Sequence, residues 1–318
     1  MGQTTWHWLV IIYLFLGGLG AGAFLVAAVF ELSGRHDREK FCPTTLTGAT
    51  ISGPAVALGS LLLILDLGAG KVQPWRMIYL FTNFSSVMTW GIWILCLFIP
   101  IALLYGLLHV MEVEPFLKGL IWARLPRLVD NSRLYRRRLA RVGSVLAVGT
   151  ALYTGVLVSA VGPAIPLWSQ PLLPFLRIPL VPILFLVSAV STGLGLTFDL
   201  ATTLATPHAH HEIRNMPLIH VILIGLENVL IGMLLISALH TGGAAAESAR
   251  MVMTGPLSAI FWIGVVVIGL IYPMVVHIYA IGARHHTLLS GISSGVGIVL
   301  AGLFLRYLIV TAGIPASL

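Results

Sequence analysis

Ionisable side chains interrupt several long apolar stretches of this sequence. Glu227 and Arg306 each lie well inside such a stretch, whereas His220, Asp199 and Glu31 lie nearer to one end of theirs. An ionisable group inside a membrane is costly unless it is paired or reaches water, so each is a candidate functional group. Glu227 and Arg306 could neutralise each other structurally, or they could take part in proton transfer. We expect Glu31 and Asp199 to extend toward water.

A second set of polar residues occurs near the ends of the first four apolar stretches. His7 precedes the first stretch and Tyr13 lies inside it; Asp66 ends the second, and Tyr153 lies within the fourth. Tryptophans at a membrane boundary usually form an interfacial belt, but a belt does not explain the carboxylate or the two phenols. A quinone head group needs hydrogen-bond donors for two carbonyls, an apolar slot and proton donors on reduction. These residue types are compatible with that chemistry.

Three other functions are open from the residues alone. His220 and His277 lie near one end of their stretches, and two facing imidazoles could ligate a haem b. Buried Glu and Arg residues also occur in secondary transporters. A purely structural anchor for a soluble enzyme is the third alternative. Cys42 and Cys96 are far apart, so this protein cannot hold an iron–sulfur cluster of its own, and the sequence predicts no metal site.

The elements that must position these side chains are membrane-spanning helices. The chain has 318 residues, of which 58% are hydrophobic and 9% are charged, whereas a soluble domain carries about a quarter charged residues. The apolar runs are continuous, and they exceed the roughly 10 residues of a barrel strand. Backbone amides in hydrocarbon must be paired within the segment, which predicts an all-α integral membrane fold. The eight predicted spans are 9–31, 47–67, 87–109, 142–163, 178–205, 217–240, 255–280 and 288–313.

The basic residues lie mainly on one side of these spans. The first, third, fifth and seventh gaps hold thirteen Lys and Arg residues, and the other three gaps hold four. The positive-inside rule therefore places the odd gaps in the cytoplasm and both termini on the outer, periplasmic side. The net charge of +7 reflects this topology and not a nucleic-acid partner. We interpret the Arg-rich third gap, 111–141, as a topology anchor on anionic lipid.

Small residues are concentrated in the first and fifth spans, where they would let helices approach closely. The fifth span contains TGLGLTF where the first contains GGLGAGA, which is compatible with two four-helix halves. We therefore expect a first four-helix bundle at 1–163, which includes the candidate quinone residues and the loop 111–141, and a second at 164–318. The glycines concerned are Gly17, Gly18, Gly20, Gly22, Gly193 and Gly195.

Three motifs carry a family resemblance. They are WHWLVIIYLFLGGLGAG at 6–22, LDLGAGKVQPWRMIYLFTNFSSVMTWGIWIL at 65–95 and YTGVLVSAVGPAIPLW at 153–168. In the middle motif an Asp-Leu pair is followed by a basic residue and then by a Trp-Gly run that opens the third span. With these motifs the chain resembles the NrfD/PsrC family, the membrane subunits of polysulfide-reductase-like respiratory complexes. The motifs cover residues 1–205, and span number extends the resemblance beyond them.

The resemblance implies a subunit that works only within a larger oxidoreductase complex. It implies two four-helix bundles without haem or metal in a bacterial or archaeal cytoplasmic membrane, and electron exchange with a quinone, in the first instance menaquinone. A four-cluster ferredoxin-like iron–sulfur subunit would dock on the outer face, with a molybdopterin catalytic subunit beyond it. Carried over by motif, the quinone site comprises Tyr13, where a polysulfide reductase subunit has His, with Asp66, Tyr153 and His7 at the mouth. A proton route past Arg306, Glu227, His220 and Asp199 is a further hypothesis.

Overall fold

The computed structural model describes residues 6–33, 43–66, 78–173, 176–204, 216–283 and 288–316. Within these ranges, eight helices are long and apolar enough to cross a membrane, which confirms the predicted number. The seventh combines a π-helical stretch, Ile260–Ile271, with an α-helical one, Tyr272–Ala283. We number the spans in chain order: α1 Trp8–Leu32, α2 Pro43–Asp66, α3 Val87–Val113, α4 Ser132–Ser159, α5 Leu180–Leu204, α6 Met216–Thr241, α7 Ile260–Ala283 and α8 Leu288–Thr311.

Two spans begin five or more residues away from their predicted starts. The first turns of α4 consist of the Arg-rich segment 132–141, so this helix starts ten residues before the apolar run does. Arginine is a good helix former, and a helix can extend beyond the hydrocarbon when its end is charged. The seventh span begins at Ile260 and not at 255, because Gly255 and Pro256 lie in a turn that ends the preceding helix.

Short elements connect the spans. An antiparallel hairpin of β1, Pro171–Leu173, and β2, Leu176–Pro179, precedes α5, so the all-α prediction holds for the spans but not for this loop. The other connections contain short helices at Tyr79–Thr82, Pro115–Trp122, Pro126–Asp130 and Gly243–Met253, with a 3₁₀ turn at Gly162–Ala164.

Helix α1 lies at the centre of the packing, in contact with α2, α4, α5 and α8. Helix α3 packs on α2 and α4, while α5 packs on α6 and α8, and α7 packs on α6 and α8. The close approach predicted from the glycines is confirmed where α1 crosses α5. A Cβ at Gly193 would overlap the backbone of Gly22, and a Cβ at Gly22 would overlap the backbone of Ala189. Small residues at this crossing therefore allow the tight backbone packing that holds helices together in lipid.

The first and last described residues, Trp6 and Ala316, lie at the same end of the helices, which we call the termini end. The Trp6 ring packs on the Trp168 ring with centroids 5.3 Å apart. The backbone N–H of Ala316 donates to the Ala164 carbonyl at 2.9 Å, and the indole N–H of Trp168 donates to the Ile309 carbonyl at 2.6 Å. Trp168 is fully buried within the protein. It fastens the loop after α4 to the end of α8.

Candidate functional site

Two phenols lie in the interior of the first four helices. Tyr13 on α1 and Tyr153 on α4 are both buried in the main apolar cluster. Tyr13 follows the start of α1 by five residues and Tyr153 precedes the end of α4 by six, so each lies roughly 8–9 Å below the termini end. Neither hydroxyl has a hydrogen-bond partner within the part of the chain that the structure describes. A buried donor without a partner is costly, and such groups are typical of ligand sites.

Neighbouring helices determine where these two rings lie. A Cβ placed at Gly17 of α1 would lie 3.8 Å from the Tyr13 ring and 3.5 Å from the methyl group of Thr154, which follows Tyr153. A Cβ at Gly91 of α3 would overlap the Tyr153 ring itself. The glycine of the Trp-Gly motif therefore leaves the space that this ring fills, a role that the sequence pattern alone does not reveal.

A polar pair lies nearer the surface at the same end. Nδ1 of His7 is 3.6 Å from Oδ1 of Asp66, and the His7 side chain is 68% exposed while that of Asp66 is 20% exposed. The pair therefore joins the start of α1 to the end of α2 where water can reach it. The basic residues of the middle motif, Lys71 and Arg76, lie outside the described residues. The predicted site residues thus occupy two levels, with the phenols inside and the His–Asp pair at the mouth.

A second polar region surrounds Arg306 on α8. This fully buried guanidinium donates from Nη1 to the hydroxyl of Ser188 at 2.8 Å and to the carbonyl of Gly302 at 2.7 Å. It lies over the ring of Phe185, 5.2 Å from the centroid. A Cβ at Gly18 of α1 would come within 2.9 Å of Nη2. Arg306 thus reaches from α8 across α5 to α1, at the junction of the two halves of the chain.

Glu227 on α6 is buried close to Ser188 of α5. Its carboxyl faces the hydroxyls of Ser188 and Ser191 on α5 and the charge of Arg306. Among the described residues no direct ion pair joins Glu227 to Arg306, and Nε and Nη2 of Arg306 lack hydrogen-bond partners. Both side chains therefore lie near Ser188. Ordered water is the usual partner of buried donors left in this way.

The polar region continues toward the opposite end of the bundle. Nε2 of His220 donates to the Ser191 carbonyl at 3.4 Å, and its ring stacks on that of His277 with centroids 4.6 Å apart and planes 29° apart. Nε2 of His277 is 3.2 Å from the hydroxyl of Ser294. The structure therefore brings together Arg306, Glu227 and His220, as the hypothesis of a proton route requires. The side chain of Asp199 lies outside the described residues.

The stacked imidazoles bear on the haem alternative. Axial histidines direct ring nitrogens at an iron between them, whereas His220 and His277 present their ring faces to each other at 4.6 Å. A porphyrin cannot lie between rings that are already in contact. Within the described ranges no three His, Cys, Asp or Glu side chains converge as metal ligands would.

A third buried group was predicted wrongly. Glu31 is only 1% exposed and does not extend toward water. Nε2 of His109 on α3 lies 3.2 Å from its Oε2, and Nε of Arg136 on α4 lies 3.6 Å from its Oε1. Arg136 also pairs with Glu112, and Nδ1 of His109 donates to the carbonyl of Tyr105 at 2.9 Å. This cluster joins α1, α3 and α4 at the end opposite the termini.

These features together define a class of protein. The chain is a multi-pass membrane protein with polar groups enclosed among its helices at three places. The family described as polysulphide reductase, NrfD, matches residues 1–316, and the chain belongs to that family. The match covers the second half of the chain as well as the first, where the motifs lie.

Individual relatives agree with this assignment. The chain is 33% identical to a polysulfide reductase chain of Wolinella succinogenes, over 98% of this sequence and 94% of that one. It is 28% identical to protein NrfD of Escherichia coli, over 98% and 95% of the two sequences. It is 25% identical to the NrfD homolog of Haemophilus influenzae, over 87% and 84%.

Proposed function

We propose that this chain is the quinone-interacting membrane subunit of a respiratory oxidoreductase complex. The observation that carries the proposal is a pair of buried phenols, Tyr13 and Tyr153, at one depth below the water-accessible pair of His7 and Asp66. Family membership supports it, because one relative is a chain of polysulfide reductase. Menaquinone is the quinone that we expect.

The residues present fit a quinone head group. The phenols of Tyr13 and Tyr153 can each donate a hydrogen bond to one carbonyl oxygen, and the apolar cluster around them excludes water. When bound, a quinone supplies two-electron, two-proton redox chemistry. His7 and Asp66 would hold and release protons at the mouth, where His7 is open to water. Tyr13 donates without changing charge near neutral pH, unlike the imidazole of a polysulfide reductase subunit.

The orientation and division of the chain are part of the same proposal. Thirteen basic residues in the odd gaps against four in the others support an inner end in the cytoplasm and a termini end on the outer, periplasmic side. The membrane is then the cytoplasmic membrane of a bacterium or archaeon. The contacts of α1 with α2 and α4, and of α5 with α6 and α8, support a first four-helix bundle at 1–163 and a second at 164–318.

Electrons must be exchanged with a partner, since two cysteines are too few for an iron–sulfur cluster. We propose a four-cluster ferredoxin-like subunit on the termini end, with a molybdopterin subunit beyond it. An open cleft of about 700 Å³ at this end supports docking there. A hydrogen bond at this cleft, from the N–H of Ile314 to the hydroxyl of Ser248 at 3.1 Å, holds the chain after α8 in place. The cleft is lined in part by Leu239, Gly242, Glu247, Arg250, Ile314 and Pro315.

Proton movement through the second half is a further candidate function. Arg306, Ser188 and Glu227 lie next to one another, and Ser191 connects them to His220. These polar groups follow one another from Arg306 on α8 to His220 near the start of α6, which supports a route for protons. Asp199 remains a candidate for its inner end. Such a route would couple quinone turnover to charge movement across the membrane.

Conservative substitutions of the two phenols test the proposed site. We expect Tyr13→Phe and Tyr153→Phe to lower quinone turnover of the intact complex by at least tenfold, the effect of losing about 1.4 kcal/mol of interaction. Tyr105→Phe is the matched control. Tyr105 lies on α3 and is also buried among the first four helices, but it packs on Phe24 and His109 at the other end. Wild-type turnover in both the Tyr13 and the Tyr153 variant would show that the two phenols do not bind the quinone.

A further inference from the structure

A pair of short helices connects α3 to α4 at the end opposite the termini. Pro115–Trp122 and Pro126–Asp130 pack on each other and on the adjoining ends of α3 and α4. Their inner side is apolar and covered, since Ile121, Leu128 and Val129 pack against Leu108 and Met111. We call residues 114–131, with these two helices, the interfacial hairpin. Its inner contacts fix it to the spans and leave its opposite side facing outward.

That opposite side is apolar too, although it lies beyond the membrane spans. Phe116 is 79% exposed, and Leu120, Trp122 and Leu125 are each more than half exposed. An aromatic and aliphatic surface of this kind is unfavourable in water and marks a membrane or protein contact. Because the hairpin directly follows the end of α3, this surface lies at the level where the span leaves the bilayer.

Together with the first turns of α4, the same surface carries an excess of positive charge. Glu114 and Asp130 are the exposed acidic residues of the hairpin, whereas more basic residues surround them. Arg136 does not contribute to this surface, because it is buried and pairs with Glu31 and Glu112. The exposed basic residues are Lys118, Arg124 and Arg127 of the hairpin and Arg133, Arg138 and Arg141 of α4.

The buried cluster beneath the hairpin makes this surface rigid. Arg136 joins Glu112 at the end of α3 to the first turns of α4, so the two helices that carry the hairpin are held together. His109 and Glu31 extend the cluster to α1. The basic and apolar groups of the hairpin are therefore presented by fixed helices, which reduces the entropy lost when they bind a ligand.

We propose that the interfacial hairpin and the first turns of α4 form a binding surface for anionic glycerophospholipid. Lys118, Arg124 and Arg127 would contact lipid phosphates, while Phe116 and Trp122 enter the boundary between head groups and acyl chains. Such a lipid has an anionic head group beside two acyl chains, and the surface has basic side chains beside exposed aromatic ones. A soluble acidic protein would match the charge but would leave the aromatic side chains out of the bilayer. This lipid role goes beyond setting topology, and it does not depend on the proposed quinone site.

The first experiment compares lipid retention by the purified protein. The protein would be delipidated from mixed micelles that contain equal amounts of phosphatidylglycerol and phosphatidylcholine. Native mass spectrometry would then identify the lipids that stay bound. We expect the wild-type protein to retain phosphatidylglycerol preferentially, and Arg124→Gln/Arg127→Gln to reduce this preference by about fivefold or more, since each basic residue near an anionic surface contributes about 1 kcal/mol. Arg250→Gln, an exposed arginine at the termini end, is the control and should retain the preference. An unchanged preference in the double variant would overturn the proposal, as would an equal loss in Arg250→Gln.

A second experiment tests the depth of the hairpin. Tryptophan fluorescence is measured in vesicles with lipids brominated near the head group, and Trp122→Phe is compared with the wild-type chain. We expect a smaller quenched fraction in Trp122→Phe, because Trp122 is one of the quenched residues. A quenched fraction in Trp122→Phe that equals or exceeds the wild-type fraction would contradict the proposal, because removing a tryptophan outside the bilayer raises the fraction. The proposal would also be contradicted if a hairpin variant lost a bound protein while its preference for phosphatidylglycerol stayed unchanged.

Discussion

The Tyr153 ring fills the space that a side chain at Gly91 would occupy. This contact joins the start of α3 to the inner part of α4, and it connects two sequence motifs that are more than 60 positions apart. The contact also gives a physical reason for the glycine in the Trp-Gly motif. A residue larger than glycine at 91 would have to displace the phenol that we place in the quinone site.

A Gly91→Ala substitution tests this relationship. We expect the new methyl group to push the Tyr153 ring aside, at a cost of about 1–3 kcal/mol for overpacking, and to lower quinone turnover. Turnover of the intact complex and the thermal midpoint of the subunit would be measured together. Gly225→Ala on α6 is the matched control, because a Cβ there meets nothing within 4 Å. Unchanged turnover in Gly91→Ala would show that the position of the Tyr153 ring does not matter.

A Glu227→Gln substitution tests the proton route. Glutamine preserves the shape of the side chain and its contacts with Ser188 and Ser191, but it removes the titratable group. We expect proton movement across proteoliposomes to be lost while quinone oxidation or reduction remains measurable. Glu114→Gln, an exposed glutamate that follows the end of α3, serves as the control. Proton movement at the wild-type ratio in Glu227→Gln would contradict the route.

An Arg136→Gln substitution tests the cluster at the other end. Removal of one partner from a buried ion pair costs about 3–5 kcal/mol, because the remaining charges stay buried without compensation. We therefore expect a clear loss of stability in unfolding measurements with denaturing detergent. Arg138→Gln, two positions further and exposed, should behave like the wild-type protein. Equal stability of the two variants would mean that the Glu31 cluster does not hold α1, α3 and α4 together.

The sequence was sufficient for some of these features because they depend on local patterns. Apolar run length predicted eight spans. Glycine content also predicted close helix approaches, and the structure places one of them between α1 and α5. Each of these inferences needs only the period and length of a helix.

Other features depend on partners that are distant in sequence. Glu31 is buried because His109 and Arg136, far along the chain, neutralise it, and a position near a span end gave no sign of either contact. The start of α4 was missed because charged residues continue a helix beyond the apolar run. The face-to-face contact of His220 and His277 likewise required the side-chain arrangement of two separate helices.

Photolabelling tests the central claim most directly. The intact complex would be illuminated with an azido-quinone, and the labelled peptides of this protein would be identified by mass spectrometry, with excess unlabelled quinone as the competitor. We predict competed label on the peptides that contain Tyr13 and Tyr153. Competed label confined to α6, α7 or α8, with none on α1 or α4, would contradict a quinone site between the two phenols.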